Sequence, residues 1–402
     1  MTSSAAPEAV HEGFLYGRVT TLEGLTYEGR LRWGGDEEAL WGHTFNGVKT
    51  DNRWAALAPA EALARPRPPL EIFGMEIDRR PRPVDLERLF MVRFGEIAHL
   101  EAGVATVRVT LKGGRVVELD RHEANDLDDG VRVWDRARGM VDLGSRRIRT
   151  IELLPAPDPG AIEGGFLHGS VRTSQGVFSG LLQWNRQDSL GRDELEGEGP
   201  DGRIGLRFGT IRSIARHSPE SSWVTLLDGR EIELAGSRET GEGNRGLYVD
   251  DSRYGRVLVS WGAFERVDFT SQGETPTYAD FPPGRSLEGI VETLDGQSLG
   301  GRLVFDLDES ETLETLDAPF EGVSYSIPFG RLASLVPAGR GVGGSRFARV
   351  TLVSGEVLEL EAAGDLGEQN LGVLVFAVGS EQPEYVPWSE VEEIGFVGPP
   401  EA

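Results

Sequence analysis

The stretch VTLLDGREIEL, Val224 to Leu234, decides the fold, because it recurs as VTLKGGRVVEL, Val109 to Leu119, and as VTLVSGEVLEL, Val350 to Leu360. Within it Val224, Leu226, Ile232 and Leu234 alternate with Thr225, Glu231 and Glu233, the period-two pattern of strands with one buried face. The stretch is a hairpin. A two-residue turn at Asp228 and Gly229 would pair Leu226 with Glu231 and set an acid beside an aliphatic on one face; a three-residue loop, Leu227 to Gly229, pairs Val224 with Ile232 instead. That loop needs a left-handed residue at its last position, where Gly114, Gly229 and Gly355 stand. A type I turn with a glycine bulge is expected in all three copies.

Other landmarks keep the same order. GRVTTLEGLTYEGRLRW (Gly17 to Trp33) matches GSVRTSQGVFSGLLQW (Gly169 to Trp184) and GIVETLDGQSLGGRLVF (Gly289 to Phe305), aligning Thr21, Thr173 and Thr293, then Trp33, Trp184 and Phe305. Next come Phe94/Ile97/Leu100, Phe208/Ile211/Ile214 and Phe329/Leu332/Leu335, and near the ends Trp261/Phe264/Val267 and Trp388/Val391/Ile394. A step of three suits one turn of 3₁₀ helix feeding a short last strand. The first copy's close, Val141 to Ile151, fits poorly, with Arg146 and Arg147 where an apolar residue is expected.

The chain therefore divides into three tandem repeats after a tail at 1–12: 13–154, 164–269 and 285–397, joined by linkers at 155–163 and 271–284. Each repeat holds two half-units of one plan. The first repeat carries an insertion over 51–89, with proline clusters such as Arg65 to Leu70 and a short helical candidate at Pro59 to Ala64. It reads equally as a docking arm and as a surface loop.

Composition sets the limits. With 402 residues, 39% apolar and 27% charged, the chain has an ordinary globular balance. A formal charge of -25, with Lys49 and Lys112 the only lysines, opposes a grip on phosphate backbones. Nucleic acid is not an expected partner. The absence of cysteine removes disulfides, thiolate metal sites and thiol nucleophiles. No apolar run is long enough to span a bilayer and the start lacks the pattern of a signal peptide, so a soluble, cytoplasmic chain is the expectation, and export from a trimmed precursor stays open.

An aspartate-glycine turn between strands, and a late 3₁₀ turn such as YVPWSEVEEIGF (Tyr385 to Phe396), resemble the five-stranded small barrels of the Sm-like and Src-homology-3-like type. As a whole the chain resembles uncharacterised bacterial repeat proteins built from such barrels. The resemblance implies an all-β fold of six small barrels, two to a repeat, and carries no catalytic residue with it. The rival architecture is a six-bladed β-propeller, since half-units of this length also fit a blade.

Sites of chemistry are few. GRGVGG, Gly339 to Gly344, has dinucleotide-loop spacing but lies between strands, with no helix to hold a pyrophosphate. The acids Asp306, Asp308, Glu309 and Glu311, and Asp126, Asp128 and Asp129, offer oxygen ligands without the glycine turn or closing glutamate of a calcium loop, and read as solvated. Glu118, Glu233 and Glu359 read as outward strand positions. His11, His43, His99, His122, His168 and His217 are scattered with no zinc-site spacing, and no GxSxG elbow occurs. No cofactor, metal or catalytic residue is expected.

The one unusual region is Arg32 to Trp54, where Trp33, Trp41 and Trp54 mix with acids and amides. Trp33 aligns with Trp184 and Phe305 and reads as core, whereas Trp41, His43 and Asn46 have no evident counterparts and, with Asp51 and Asn52, read as ligand-binding candidates for sugar or peptide. The sequence thus predicts an all-β, non-catalytic scaffold presenting barrel edges and loops to a protein or peptide partner. Carbohydrate binding through the Trp41 region, and a hydrolase site at a repeat junction, are the alternatives.

Overall fold

A computed structural model describes residues 13–398 except 35–36, 50–51, 64–70, 73–74, 77–87, 123, 158–164, 271–272 and 340–344. The chain is all β. Three antiparallel sheets of ten, twelve and eight strands account for it, together with a two-stranded ribbon, and no sheet closes into a barrel. Among the described residues helix is confined to short turns, the longest being the four-residue segments Ala60–Leu63 and Asn125–Asp128.

In the first third of the chain the strands are β1 (Tyr16–Thr21), β2 (Thr26–Trp33), β3 (Thr44–Lys49), the ribbon strands β4 (Glu71–Ile72) and β5 (Met75–Glu76), β6 (Arg88–Arg93), β7 (Ile97–Ala102), β8 (Thr106–Leu111), β9 (Val116–Asp120), β10 (Val131–Asp135), β11 (Gly139–Leu143) and β12 (Ile148–Leu153). The second third has β13 (His168–Thr173), β14 (Gly176–Gln183), β15 (Glu194–Gly199), β16 (Gly202–Arg207), β17 (Ile211–Arg216), β18 (Ser221–Leu226), β19 (Glu231–Ala235), β20 (Leu247–Asp251), β21 (Gly255–Val259) and β22 (Phe264–Thr270). The last third has β23 (Glu288–Thr293), β24 (Ser298–Phe305), β25 (Thr315–Phe320), β26 (Val323–Pro328), β27 (Leu332–Val336), β28 (Ala348–Leu352), β29 (Val357–Leu360), β30 (Val373–Phe376), β31 (Glu384–Val386) and β32 (Val391–Phe396).

The three strand orders correspond. The first sheet runs β11-β10-β2-β1-β12-β7-β8-β9-β3-β6, and the second runs β21-β20-β14-β13-β22-β17-β18-β19-β15-β16. The third runs β31-β30-β24-β23-β32-β27-β28-β29, and its missing pair, β25 and β26, has joined the second sheet through β21. Each carries its register shift at the same place, between Thr20 and Thr21, Arg172 and Thr173, and Glu292 and Thr293. Six separate four-stranded blades, which a propeller needs, are not what pairs here.

The half-units are not self-contained, and this corrects the sequence reading. The hairpin β13–β14 pairs with β22 and β20, the closing strands of the other half, while β18–β19 pairs with β17 and β15. The halves exchange strands. Where they meet, β17 and β22 pair antiparallel, Ile214 opposite Val267. Hydrophobic alternation fixes the faces of a strand but not its neighbour, so the exchange leaves no trace in the periodicity.

The hairpin geometry matches expectation. Val224 faces Ile232, Leu226 N–H donates to the Arg230 carbonyl across the three-residue loop, and Gly114, Gly229 and Gly355 have φ of 83°, 90° and 86°. The aromatic turns Phe94–Glu96, Phe208–Thr210, Phe329–Arg331 and Trp388–Glu390 are 3₁₀. At Trp261 a hydrogen-bonded turn replaces it, Ala263 and Phe264 donating to the Ser260 carbonyl. The first third closes with a 3₁₀ turn as well, Ser145–Arg147. Its apolar positions are Ile148 and Ile151, both buried, and Arg146 and Arg147 simply ride on the exposed side.

One buried core spans the second and last thirds and another fills the first, reaching Phe166, Leu181, Leu190 and Phe281 beyond it. The stretch expected as the second linker is a packed strap. Phe281 is buried, the Tyr278 hydroxyl donates to the Ile97 carbonyl at 2.7 Å, and the Lys112 ammonium sits 3.4 Å from the Tyr278 ring centroid.

Candidate functional site

The Arg32 to Trp54 region follows β2, and its counterparts follow β14 and β24. In each a bridge closes the same loop: Trp33 with Glu37, Trp184 with Asp188, Phe305 with Glu309. Two backbone N–H groups of the loop then need an acceptor. In the second third Asp193 accepts from Ser189 and Leu190 at 3.0 and 2.8 Å; in the last, Glu314 accepts from Ser310 and Glu311 at 2.6 and 3.0 Å. In the first, His43 Nδ1 accepts from Glu38 and Ala39 at 3.2 and 3.0 Å. His43 therefore has counterparts after all. A one-residue offset and a change of residue type hid them.

With Nδ1 accepting, the ring proton rests on Nε2, and the Gln183 side-chain amide 3.2 Å away is oriented with its oxygen toward the ring to accept it. Burial, and then the Arg256 and Arg32 guanidinium groups, push the imidazole down to about 3. It is a neutral structural acceptor. Trp41 is only 1% exposed and meets Phe166 edge-on at 5.5 Å, so the aromatic platform expected for a sugar is in the core. Asn46 lies on β3 and donates to the Thr44 carbonyl at 3.1 Å, and Asn52 Oδ1 caps the turn at Trp54 and Ala55 at 3.1 and 3.0 Å. Asp51 lies outside the described residues. The candidates do not converge on one cleft.

What the region does is join the thirds. Glu38 is buried between Arg30 and Arg192, the latter at 3.0 Å. The Arg256 guanidinium donates to the Trp41 and Gly42 carbonyls. Lys49 Nζ lies 2.6 Å from Asp308 and 3.5 Å from Glu314, and Trp54 meets Phe376 at 5.8 Å. The acids after β24, expected to be solvated, are thus interface groups: Arg115 holds Glu314 at 3.0 Å and Glu311 at 3.7 Å. Burial and neighbouring carboxylates push Glu309 and Asp365 well above the carboxylate range, and burial pushes Asp317 up to about 6. Among the described residues no group of three or more acid or imidazole side chains is arranged to hold a metal. Of the GRGVGG motif, residues 340–344 lie outside the described residues, between β27 and β28.

Two kinds of surface stay available. One is an open concavity of about 680 Å³ lined by Arg216, His217, Ser218, Pro219, Glu242 and Trp261. Its arginine is already committed to the Trp261 and Gly262 carbonyls at 3.0 and 2.8 Å. The other is strand edge. β11 pairs with β10 alone and β16 with β15 alone, and both have mostly exposed residues. Sequence reasoning overlooked these edges because GMVDL and GRIGLR, rich in glycine and charge, show no alternation worth noting; charges and glycines on a strand are themselves an edge signature.

No family model matches the chain. Nor does any curated protein. A solved structure described as "Streptogramin B lyase structure" aligns at 9% identity over 75% of this chain and 94% of that one, with a TM-score of 0.12, a likeness too slight to bear on fold or function.

Proposed function

We propose that the chain is a non-catalytic scaffold that receives an extended segment of a protein or peptide partner along its open strand edges. In this reading it is three tandem repeats, each of two five-stranded units curled as small barrels of the Sm-like or Src-homology-3-like kind, with strands exchanged between the two. One observation carries the proposal. β21, the last strand of one such unit, already accepts β26 of another along its outer edge, Val257 opposite Tyr325 and Leu258 opposite Ser324, so an edge of this type supports strand addition. His43, Asp193 and Glu314 are occupied as loop acceptors, and Glu38, Asp308 and Glu311 as ion-pair partners.

The test is selection of peptides from a displayed random library on the immobilised chain, followed by hydrogen exchange of the complex. Added protection over Gly202 to Arg207 or Gly139 to Leu143 is expected. Enriched peptides that protect neither edge, or no enrichment, would sink the reading.

A further inference from the structure

We infer that β11 and β16 are complementary to each other, and that the partner of these edges is a second copy of this chain, added head to tail. The inference rests on the scaffold reading and names its partner. β21 and β11 occupy the same place in their sheets, each following a three-residue loop from Asp251 to Gly255 and from Asp135 to Gly139. β26 and β16 likewise correspond, each the second strand of a two-residue hairpin, Phe320 opposite Val323 and Gly199 opposite Gly202, and each followed by a phenylalanine 3₁₀ turn. Within the chain β21 meets β26; among the described residues β11 and β16, like the sheet-end strands β31 and β6, have no such mate.

Carrying the β21–β26 register across gives definite pairs. Arg256 with Ser326 becomes Met140 with Gly205, Val257 with Tyr325 becomes Val141 with Ile204, and Leu258 with Ser324 becomes Asp142 with Arg203. The chemistry of each pair agrees. Val141 and Ile204 are half-buried side chains that already pack at the rims of their cores, so pairing would join two cores, as Val257 and Tyr325 now share one. Asp142 and Arg203 are 63% and 79% exposed on the outer face, opposite charges set directly across from each other. Gly205, whose Cβ position lies 2.7 Å from the Glu194 carboxylate, sets no side chain of its own against Met140, which is 58% exposed. Because the two edges differ and belong to different thirds, the head-to-tail contact is heterologous and links successive copies into a ring or an open chain, as the rotation between them dictates.

The 402-residue chain, free of cysteine, suits a cross-linking test. Chains carrying Met140→Cys and chains carrying Gly205→Cys, mixed and mildly oxidised, are expected to form one mixed dimer. A mixture of Met140→Cys with Ile204→Cys should not, since neighbours on a strand point to opposite faces. In sedimentation the wild type should grow with concentration. Asp142→Arg or Arg203→Asp alone should weaken self-association by about tenfold or more, and the double reversal should restore it. A wild type that stays monomeric, or cysteine variants that form no mixed dimer, overturns the inference. If displayed peptides still protect β16 in that case, the scaffold reading survives it; if they do not, both fall.

Discussion

Lys49 Nζ stands 2.6 Å from Asp308 Oδ1, with each side chain keeping 9% of its exposure. The pair joins β3 of the first third to the loop after β24 of the last, and Glu314 lies on the same ammonium at 3.5 Å. Lys49→Met would leave three carboxylates, Asp308, Glu311 and Glu314, beside one guanidinium, that of Arg115. Removing one partner of a buried pair costs about 3–5 kcal/mol, and the remaining Arg115 should keep the loss near about 3. Urea unfolding measures it, and Lys49→Met with Asp308→Leu should recover much of the loss. Equal destabilisation by single and double variants would mean that the pair is not the interface element argued here.

Asp317 gives a pH dependence of the opposite sense from an ordinary carboxylate. Its carboxyl accepts from Ser326 and, at 3.3 Å, from Thr315, yet burial raises it to about 6 from the usual 3.8. Between those values the folded chain holds a proton that the unfolded chain does not, so acidification across that window favours folding through this group. Asp317→Asn should therefore be more stabilising, or less costly, at neutral pH than near pH 4. Thermal unfolding of both proteins across the range checks it, and a pH-independent difference would contradict the assignment.

Local geometry was legible in the sequence where a residue pattern has a single geometric solution. The alternation around Gly229 left one loop length consistent with a buried face, and the aromatic step of three had one compact form. Neighbour relations were not legible. That β18 follows β17 in the sheet, while β13 lies beside β22, depends on contacts far apart in sequence that leave the period unchanged. The ligand candidates were misplaced for a related reason: Trp41 is covered by Phe166 from another third of the chain, and Asn52 spends its side-chain oxygen on its own turn. The equivalence of His43 with Asp193 and Glu314 became visible only through the two N–H groups each one satisfies.

Gly180 and Gly229 separate two reasons for glycine. A Cβ on Gly180 would stand 2.0 Å from the Asp250 carbonyl oxygen, where β14 crosses β20, and Gly29 and Gly301 make the same approach to Trp134 and Phe376 at 1.9 and 2.0 Å. A Cβ on Gly229 meets nothing within 4 Å, and only its φ of 90° opposes a side chain. Gly180→Ala should then cost about 3 kcal/mol or more, because backbone must move. Gly229→Ala should cost about 1–2 kcal/mol. Unfolding midpoints would rank them, and a larger loss at Gly229 would refute the close-approach argument.

His43 supplies the last test, since its Nδ1 must stay unprotonated to accept from Glu38 and Ala39. Protonation at Nδ1 would turn an acceptor of two N–H groups into a donor facing them, beside Arg256 and Arg32. The ring is held down to about 3 from its ordinary 6.5, so between these values the unfolded chain binds a proton that the folded chain refuses. The stability His43 provides is therefore whole above about pH 6.5 and drains as the pH falls toward 3. His43→Asn keeps an acceptor that cannot titrate, as Asp193 shows a short side chain can reach the equivalent pair. At neutral pH it should lie between the wild type and His43→Ala, which orphans two buried N–H groups at roughly 2 kcal/mol or more. On acidification the wild type should lose its advantage over His43→Asn, the two curves converging below pH 6.5. Parallel curves would show that the imidazole titrates as freely in the folded chain as outside it.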